Sequence, residues 1–182
     1  MAATGRCPPA AQARLRVVIR PEKPSDAPRI HAIHVASFQT PAEARLVDLL
    51  RAADSLRVSL VAEVGDVIVG HVAFSPVTAA SGIEGAGLAP IAVADRYRRR
   101  GIGAGLVRTG LDACRKANFG WAIVLGEPAY YSRFGFRAAS ELGLSDEYRG
   151  GPAFQVIELI RGAVPVGAGL VRYAQEFATL GV

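Results

Sequence analysis

The stretch from Leu88 to Val107, LAPIAVADRYRRRGIGAGLV, combines a strand, a turn and a helix. The opening LAPIAV is apolar and β-rich, which predicts a strand that Pro90 interrupts. A proline cannot donate a hydrogen bond to a neighbouring strand, so it marks a bulge or an edge strand. From Gly101 the spacing predicts a helix to about Ala117. Its buried side is expected to comprise Ile102, Leu106, Gly110, Ala113 and Ala117.

The turn before this helix carries four arginines, which the helix terminus itself disfavours. A helix N-terminus has roughly half a positive elementary charge and backbone N–H groups that lack partners. A bound anion removes the repulsion, and Gly101 and Gly103 let it approach the backbone closely. These features suit a diphosphate. A solvated arginine patch beside a flexible turn is the alternative interpretation.

Two other phosphate-binding motifs fit this stretch less well. A Walker P-loop requires GxxxxGK[ST], which the sequence lacks. A Rossmann fingerprint places its glycines directly after a strand, whereas seven residues separate Val93 from Gly101 here.

Length, composition and charge narrow the functional classes. The chain has 182 residues, of which 51% are hydrophobic, so we expect one folded domain over residues 15–182. Residues 1–14 are expected to form a disordered extension. A net charge of +5 indicates an anionic partner, such as nucleic acid, a membrane surface or a phosphorylated small molecule. The sequence has neither a secretory signal nor an apolar run that could span a bilayer, so we expect a cytoplasmic protein.

Cysteine and histidine are too sparse for a disulfide framework or a metal centre. The two cysteines, Cys7 and Cys114, lie far apart in the sequence. His31 and His34 share a predicted helix face without a third ligand in view, so we expect no metal. His71 either lines an acceptor site or fills the core.

The remaining pattern predicts an α+β (mixed α/β) fold with a mixed sheet. Thr40, Pro41 and Glu43 form a capping-box pattern before one helix. Gly65 and Asp66 supply the turn of a hairpin. The other predicted elements are strands at 15–21, 121–126 and 153–160, helices at 25–38 and 128–135, and a helix or strand near the C-terminus.

Two motifs together resemble the GNAT superfamily of N-acetyltransferases. Arg98-x-x-Gly101-x-Gly103 is similar to the acetyl-CoA-binding motif of that family, [QR]-x-x-G-x-[GA]. Tyr131, Gly135 and Phe136 match its Tyr-x-x-x-Gly-Phe element, within a GEPAYYSRFGF segment that resembles an uncharacterised bacterial subgroup. The resemblance covers roughly residues 15–160 and is most specific over 88–136.

The resemblance implies a fold, a cosubstrate and a reaction. The fold is a central, twisted, mostly antiparallel sheet with a splayed pair of strands and flanking helices. The cosubstrate is acetyl-CoA, whose acetyl group passes directly to a primary amine of a small molecule or peptide. The implied cofactor-binding residues are Ile91, Ala92, Val93, Arg98, Arg99, Arg100, Gly101, Ile102, Gly103 and Ala104.

The resemblance also implies a catalytic acid. Tyr131 would protonate the departing CoA thiolate, and Tyr130 could exchange roles with it. The base is open, because no carboxylate lies between Gly85 and Val93. Glu84 is the nearest acid upstream, and a water relay or an amine that arrives neutral are the alternatives.

Two other functions remain as alternatives. One is a sensor that binds CoA or a nucleotide but catalyses no reaction. The presence of Tyr131, a candidate catalytic acid, argues against this function. The other is a basic nucleic-acid-binding module, although the sequence has no helix-turn-helix, RNA-binding or zinc signature. We therefore expect no nucleic-acid or membrane partner, and a monomer or homodimer.

Overall fold

The computed structural model describes residues 16–180, in which nine strands form one sheet. The predicted extension at residues 1–14 and Cys7 lie outside the described residues. The strands are β1 (Val17–Pro21), β2 (Val58–Val64), β3 (Val67–Ala79), β4 (Glu84–Val93), β5 (Trp121–Leu125), β6 (Arg137–Ala138), β7 (Leu144–Asp146), β8 (Phe154–Glu158) and β9 (Gly169–Tyr173). The α-helices are α1 (Ala27–Ser37), α2 (Ala42–Ala52), α3 (Ile102–Lys116) and α4 (Pro128–Tyr131).

The sheet is mixed and mostly antiparallel, as the sequence pattern and the family resemblance respectively predict. Its main path runs β1-β2-β3-β4-β5-β8-β6, while β9 pairs with both β3 and β7. Two pairs are parallel, β4 with β5 and β7 with β9. The C-terminal segment contains a strand, β9, followed by a 3₁₀ helix at Gln175–Leu180, so both alternatives for this segment are present.

A bulge in β4 opens the sheet next to β5. Val72 pairs with Ile91 and Phe74 with Leu88, so Ala89 and Pro90 together face the single residue between Val72 and Phe74. This extra residue confirms Pro90 as a bulge marker and bends the strand. Pairing between β4 and β5 is confined to Ala86 with Ala122 and Gly87 with Ile123. Beyond Leu88 the two strands are therefore splayed apart.

Helices cover both faces of the sheet. Successive residues of β2 point to opposite faces, so Leu60 joins the core formed with α3, and Val61 joins the core formed with α1 and α2. The buried residues of α3 are Ile102, Leu106, Val107, Gly110, Leu111 and Cys114. The prediction for Ala117 was wrong: it is exposed, because the helix ends at Lys116.

The predicted capping box of α2 is not formed. Pro41 occupies the N-cap position, and the Thr40 hydroxyl accepts a hydrogen bond from the Ala42 amide at 3.3 Å. The Glu43 carboxylate does not reach back to the N-cap, and its Oε2 has no hydrogen-bond partner among the described residues. Its side chain is thus available for another role.

Buried polar side chains join α1 to the sheet. His34 Nε2 lies 2.8 Å from His71 Nδ1, and both rings are fully buried. His71 Nε2 lies 2.9 Å from Ser59 Oγ and 3.4 Å from Glu22 Oε2. Arg51 Nε donates to Glu22 at 2.7 Å. His71 therefore fills the core rather than lining an open site.

The electrostatics of this network keep both imidazoles neutral. Burial, with the nearby positive groups, lowers the pKa of His34 to about 3, and burial also lowers the pKa of His71. A neutral imidazole has one N–H. If His71 Nε2 donates toward Glu22, His34 Nε2 donates to His71, and His34 Nδ1 has a lone pair. That assignment explains why His34 Nδ1 has no partner among residues 16–180.

The described residues contain neither a metal cluster nor a membrane-spanning helix. No group of three or more His, Cys, Asp or Glu side chains in residues 16–180 is arranged to hold a metal ion. His31 instead pairs with Asp48 at 2.6 Å. In the same part of the chain, no helix has the length and hydropathy needed to cross a membrane.

We predict that the protein loses stability as the pH falls below about 6.5. The two depressed histidine pKa values mean that the unfolded chain binds more protons there, and each histidine contributes up to about 1.4 kcal/mol per pH unit. The pKa values of the Glu22 and Asp26 carboxyl groups are also lowered in the folded protein. They affect stability only at lower pH, because the ordinary pKa values of these groups are 4.5 and 3.8. Urea denaturation between pH 5 and 7 measures the slope.

His34→Gln should reduce that slope by about half, because one of two titrating groups is removed while an N–H donor toward His71 is kept. His31→Gln, which removes a ring that is 43% exposed, is the surface comparison, and the slope should fall more in His34→Gln than in this variant. An unchanged slope in His34→Gln would contradict the assignment of a neutral buried pair.

Candidate active site

The splayed half of β4 presents backbone groups that no neighbouring strand uses. The Ala94 amide donates to the Val69 carbonyl at 2.8 Å, which fixes the alternation of hydrogen bonds along β4. Ala92 therefore bonds toward β3, whereas the backbone groups of Ile91 and Val93 point toward the gap beside β5. Of Ile91 and Ala92, therefore, Ile91 has the N–H that points into the gap.

The turn after β4 brings the start of α3 beside this free edge. Arg98 Nε donates to the Val93 carbonyl at 2.9 Å, and its Nη1 lies 3.1 Å from Asp95 Oδ1. Arg98 thus shapes its own turn. The chain then reverses through left-handed conformations at Arg99 (φ 58°) and Gly101 (φ 82°). A glycine favours this conformation at Gly101, because it lacks the Cβ that strains other residues there.

The first turn of α3 offers a row of free amides. The first helical hydrogen bond runs from the Gly105 amide to the Gly101 carbonyl at 2.9 Å. The amides of Ile102, Gly103 and Ala104 therefore have no acceptor within the helix. Together with the helix dipole, they form the kind of terminus that binds phosphate groups.

A cavity of about 590 Å³ connects these amides with the free edge of β4. We refer to it as the larger cavity. All of the predicted cofactor-binding residues except Arg100 line it: Ile91, Ala92, Val93, Arg98, Arg99, Gly101, Ile102, Gly103 and Ala104. The side chain of Arg100 is exposed and lies outside that lining, because the reversal at Arg99 and Gly101 turns it toward solvent.

Other residues of the larger cavity were not identified from the sequence. Arg133 lines the cavity and lies over the Tyr130 ring, 4.0 Å from its centroid. The sequence offered one indication of this role, because Arg133 lies within the segment that carries Tyr130 and Tyr131. Ser37 and Phe38 come from the end of α1, which carries no motif, and only the fold brings them here.

A smaller cavity of about 340 Å³ lies on the other side of Ile91. Ile91 and Phe38 line both cavities, so the two are adjacent. Tyr131 lines the smaller cavity, and Tyr130 lines the larger one. Tyr131, the predicted acid, and Tyr130, the neighbour that could exchange roles with it, therefore occupy different positions.

Tyr131 is packed among aromatic rings and remains protonated. Its side chain is 7% exposed, with ring centroids 5.0 Å from Tyr130 and 5.7 Å from Phe136. Burial, with a smaller effect of Tyr130, raises the pKa of Tyr131 to about 12. At neutral pH its phenol is a proton donor, as a general acid must be.

Glu84, the acidic residue considered from the sequence, lies elsewhere. Glu84 is exposed at the start of β4, about 20 Å from Pro90 at roughly 3.3 Å per residue. It lines neither cavity, which argues against it as the base. Glu127 caps α4 by accepting from the Ala129 amide at 3.4 Å. Cys114 is buried in the core, and burial raises its thiol pKa to about 12, which makes it a poor nucleophile.

Comparison with known proteins agrees with this geometry. A family model described as the Acetyltransferase (GNAT) family matches residues 27–136. The chain belongs to the GNAT family of acetyltransferases. Over 165 residues it is 42% identical to the uncharacterised N-acetyltransferase YhbS of Escherichia coli K12, covering 88% of this chain and 98% of YhbS. The match confirms the family resemblance that the two motifs predict.

Two crystal structures of GNAT proteins are similar to the whole fold. One is E. coli YhbS in complex with CoA, with 40% identity, a TM-score of 0.87 and coverage of 92% of this chain and 95% of that chain. The other is a Brucella melitensis acetyltransferase in complex with acetyl-CoA, with 34% identity, a TM-score of 0.76 and coverage of 90% and 99%. These similarities confirm the predicted fold class for this GNAT acetyltransferase.

We predict that Gly126→Ala destabilises the protein by about 1–3 kcal/mol, because the added Cβ overlaps the Tyr131 ring. Equilibrium denaturation measures the loss. In a double-mutant cycle, Gly126→Ala should be nearly neutral when it is introduced into the Tyr131→Leu variant, because the ring that clashes is then absent. Additive losses would contradict the close contact.

Proposed function

We propose that this enzyme binds acetyl-CoA in the larger cavity and transfers the acetyl group directly to a primary amine. One observation carries this proposal. A single cavity runs from the unpaired edge of β4 to the free amides of α3, and the chain supplies complementary groups at both ends.

The two ends suit different parts of CoA. The pantetheine arm is a pseudo-peptide, so its amides can pair with the backbone of Ile91 and Val93 as an added strand would. The diphosphate can accept hydrogen bonds from the amides of residues 102–104, with Arg99 and Arg133 nearby. The relatives crystallised with CoA and acetyl-CoA support this assignment.

The transfer step follows from the groups around Ile91. The amine nitrogen forms a bond to the carbonyl carbon of the acetyl group. The free N–H of Ile91 can polarise this carbonyl by donating a hydrogen bond to its oxygen. The C–S bond then breaks, and the Tyr131 hydroxyl protonates the CoA sulfur. A proton that the new amide nitrogen releases restores the phenol. No acyl-cysteine is required, and the buried thiol of Cys114 is not placed to form one.

We predict that CoA and acetyl-CoA both stabilise the folded protein, by about 2.7 kcal/mol at a concentration 100 times the Kd. Arg99→Ala should weaken binding about fivefold or more, because Arg99 lines the larger cavity. Arg100→Ala is the matched control, because Arg100 is adjacent in sequence but its side chain faces solvent. This variant should bind CoA like the wild type. Thermal shift at physiological salt measures both. No stabilisation of the wild type by either compound would overturn the proposal.

We predict that Tyr131→Phe lowers kcat about 10²–10⁴-fold while acetyl-CoA binding is unchanged, because only the proton donor is lost. Tyr130→Phe should retain most of the activity, since its hydroxyl faces the larger cavity near Gly103. Thiol release with an amine panel measures turnover. Equal losses in the two variants would contradict the assignment, and binding without turnover on any amine would indicate a sensor.

A further inference from the structure

The smaller cavity has the chemistry of a site for one positive charge on an apolar body. Its lining is aromatic and aliphatic apart from one carboxylate, that of Glu43. Its lining includes Glu43, Ile91, Tyr131, Tyr148, Tyr173 and Phe177. At about 340 Å³, its volume is at the lower end of the range for small-molecule sites.

The Glu43 carboxylate lacks a partner among the residues that the structure describes. Its Oε2 is buried and makes no hydrogen bond to any described residue. None of the ion pairs within residues 16–180 includes Glu43. Desolvating a carboxylate without a partner is costly, so such a group is typical of a site that a ligand completes.

An aromatic wall faces the same cavity. The ring of Tyr173 lies 5.3 Å from Tyr148 and 5.0 Å from Phe177 between centroids. The Tyr173 hydroxyl is also buried without a partner among residues 16–180. Aromatic faces attract cations and provide a large contact area for apolar groups.

The charge that faces this cavity is that of Glu43. Burial, together with the nearby Asp146 and Glu147 carboxylates, raises the pKa of Tyr173, but Glu147 is paired with Arg172 at 3.5 Å. The Glu43 carboxylate in the lining, unpaired within residues 16–180, favours a cation and repels a carboxylate on the ligand.

The cavity lies where an acceptor must lie. It shares Ile91 with the larger cavity, and Tyr131 belongs to its lining. A nitrogen bound between Glu43 and Ile91 would face the position that we propose for the thioester carbon.

From these contacts, and resting on the proposed function, we propose that the smaller cavity binds an arylalkyl primary amine, with Glu43 holding its ammonium group and Tyr148, Tyr173 and Phe177 enclosing its ring. The single carboxylate neutralises one charge. Polyamines and amino sugars carry several charges or many hydroxyl groups, for which this lining offers too few partners. Amino acids bring a carboxylate, which the Glu43 carboxylate of the lining would repel.

Glu43 also accounts for the proton that an ammonium must lose before it can attack. The Glu43 carboxylate accepts one proton from R–NH₃⁺ and later releases it to water. The resulting neutral amine then reacts as described above, so the overall products are R–NH–acetyl, CoA thiol and one proton.

The test measures equilibrium binding of three probes to the full-length protein, with and without CoA. The probes are 2-phenylethylamine, its uncharged analogue 2-phenylethanol, and putrescine, which has two charges and no ring. We expect 2-phenylethylamine to bind most tightly. Glu43→Gln should weaken its binding about tenfold or more, because a charge-assisted hydrogen bond is lost. Tyr148→Leu should weaken binding of both phenyl compounds.

Glu141→Gln is the matched control, since this exposed glutamate lines neither cavity, and it should bind 2-phenylethylamine like the wild type. Thermal melts of each variant establish that it is folded. Unchanged binding in folded Glu43→Gln would overturn the inference, as would putrescine or 2-phenylethanol binding as tightly as 2-phenylethylamine, or no binding of any probe. Amine binding without acetyl transfer would count against the proposed function alone.

Discussion

The bulge at Ala89 and Pro90 is the constraint on which the rest of the structure depends. One extra residue in β4 breaks the regular alternation, and the missing proline N–H prevents its repair by a neighbouring strand. The strand bends away from β5 and leaves the backbone groups of Ile91 and Val93 without strand partners on one side. An otherwise continuous sheet therefore contains a gap that two cavities share.

The charge distribution of the turn follows from this geometry. The arginines are not equivalent, although they are adjacent in sequence. Arg98 is bound to the Val93 carbonyl and stabilises the turn itself. Arg99 lines the larger cavity, and Arg100 points to solvent. Arg133 adds a charge from a distant segment, so the positive field is assembled by the fold rather than by the run alone.

Much of the fold and the set of residues that line the larger cavity could be predicted, because these depend on local rules. Pro90, the glycines of the turn and the periodicity of α3 each act within a few residues. The unpredicted parts are non-local. The free carboxylate of Glu43 follows from a capping box that did not form, and the aromatic wall comes from a C-terminal segment that crosses to α2. Glu84 was the nearest acid in sequence, but an extended strand separates it from the gap.

The sequence by itself determined the strand, turn and helix of residues 88–116 and the family to which the chain belongs. Backbone conformation there is set by proline geometry, glycine freedom and apolar spacing, all of which are readable along the chain. Only the tertiary structure decided which tyrosine faces which cavity, that His71 is a core residue, and that Glu43 and Tyr173 line the same cavity. Those relations join residues far apart in sequence, whose approach depends on sheet order and on burial.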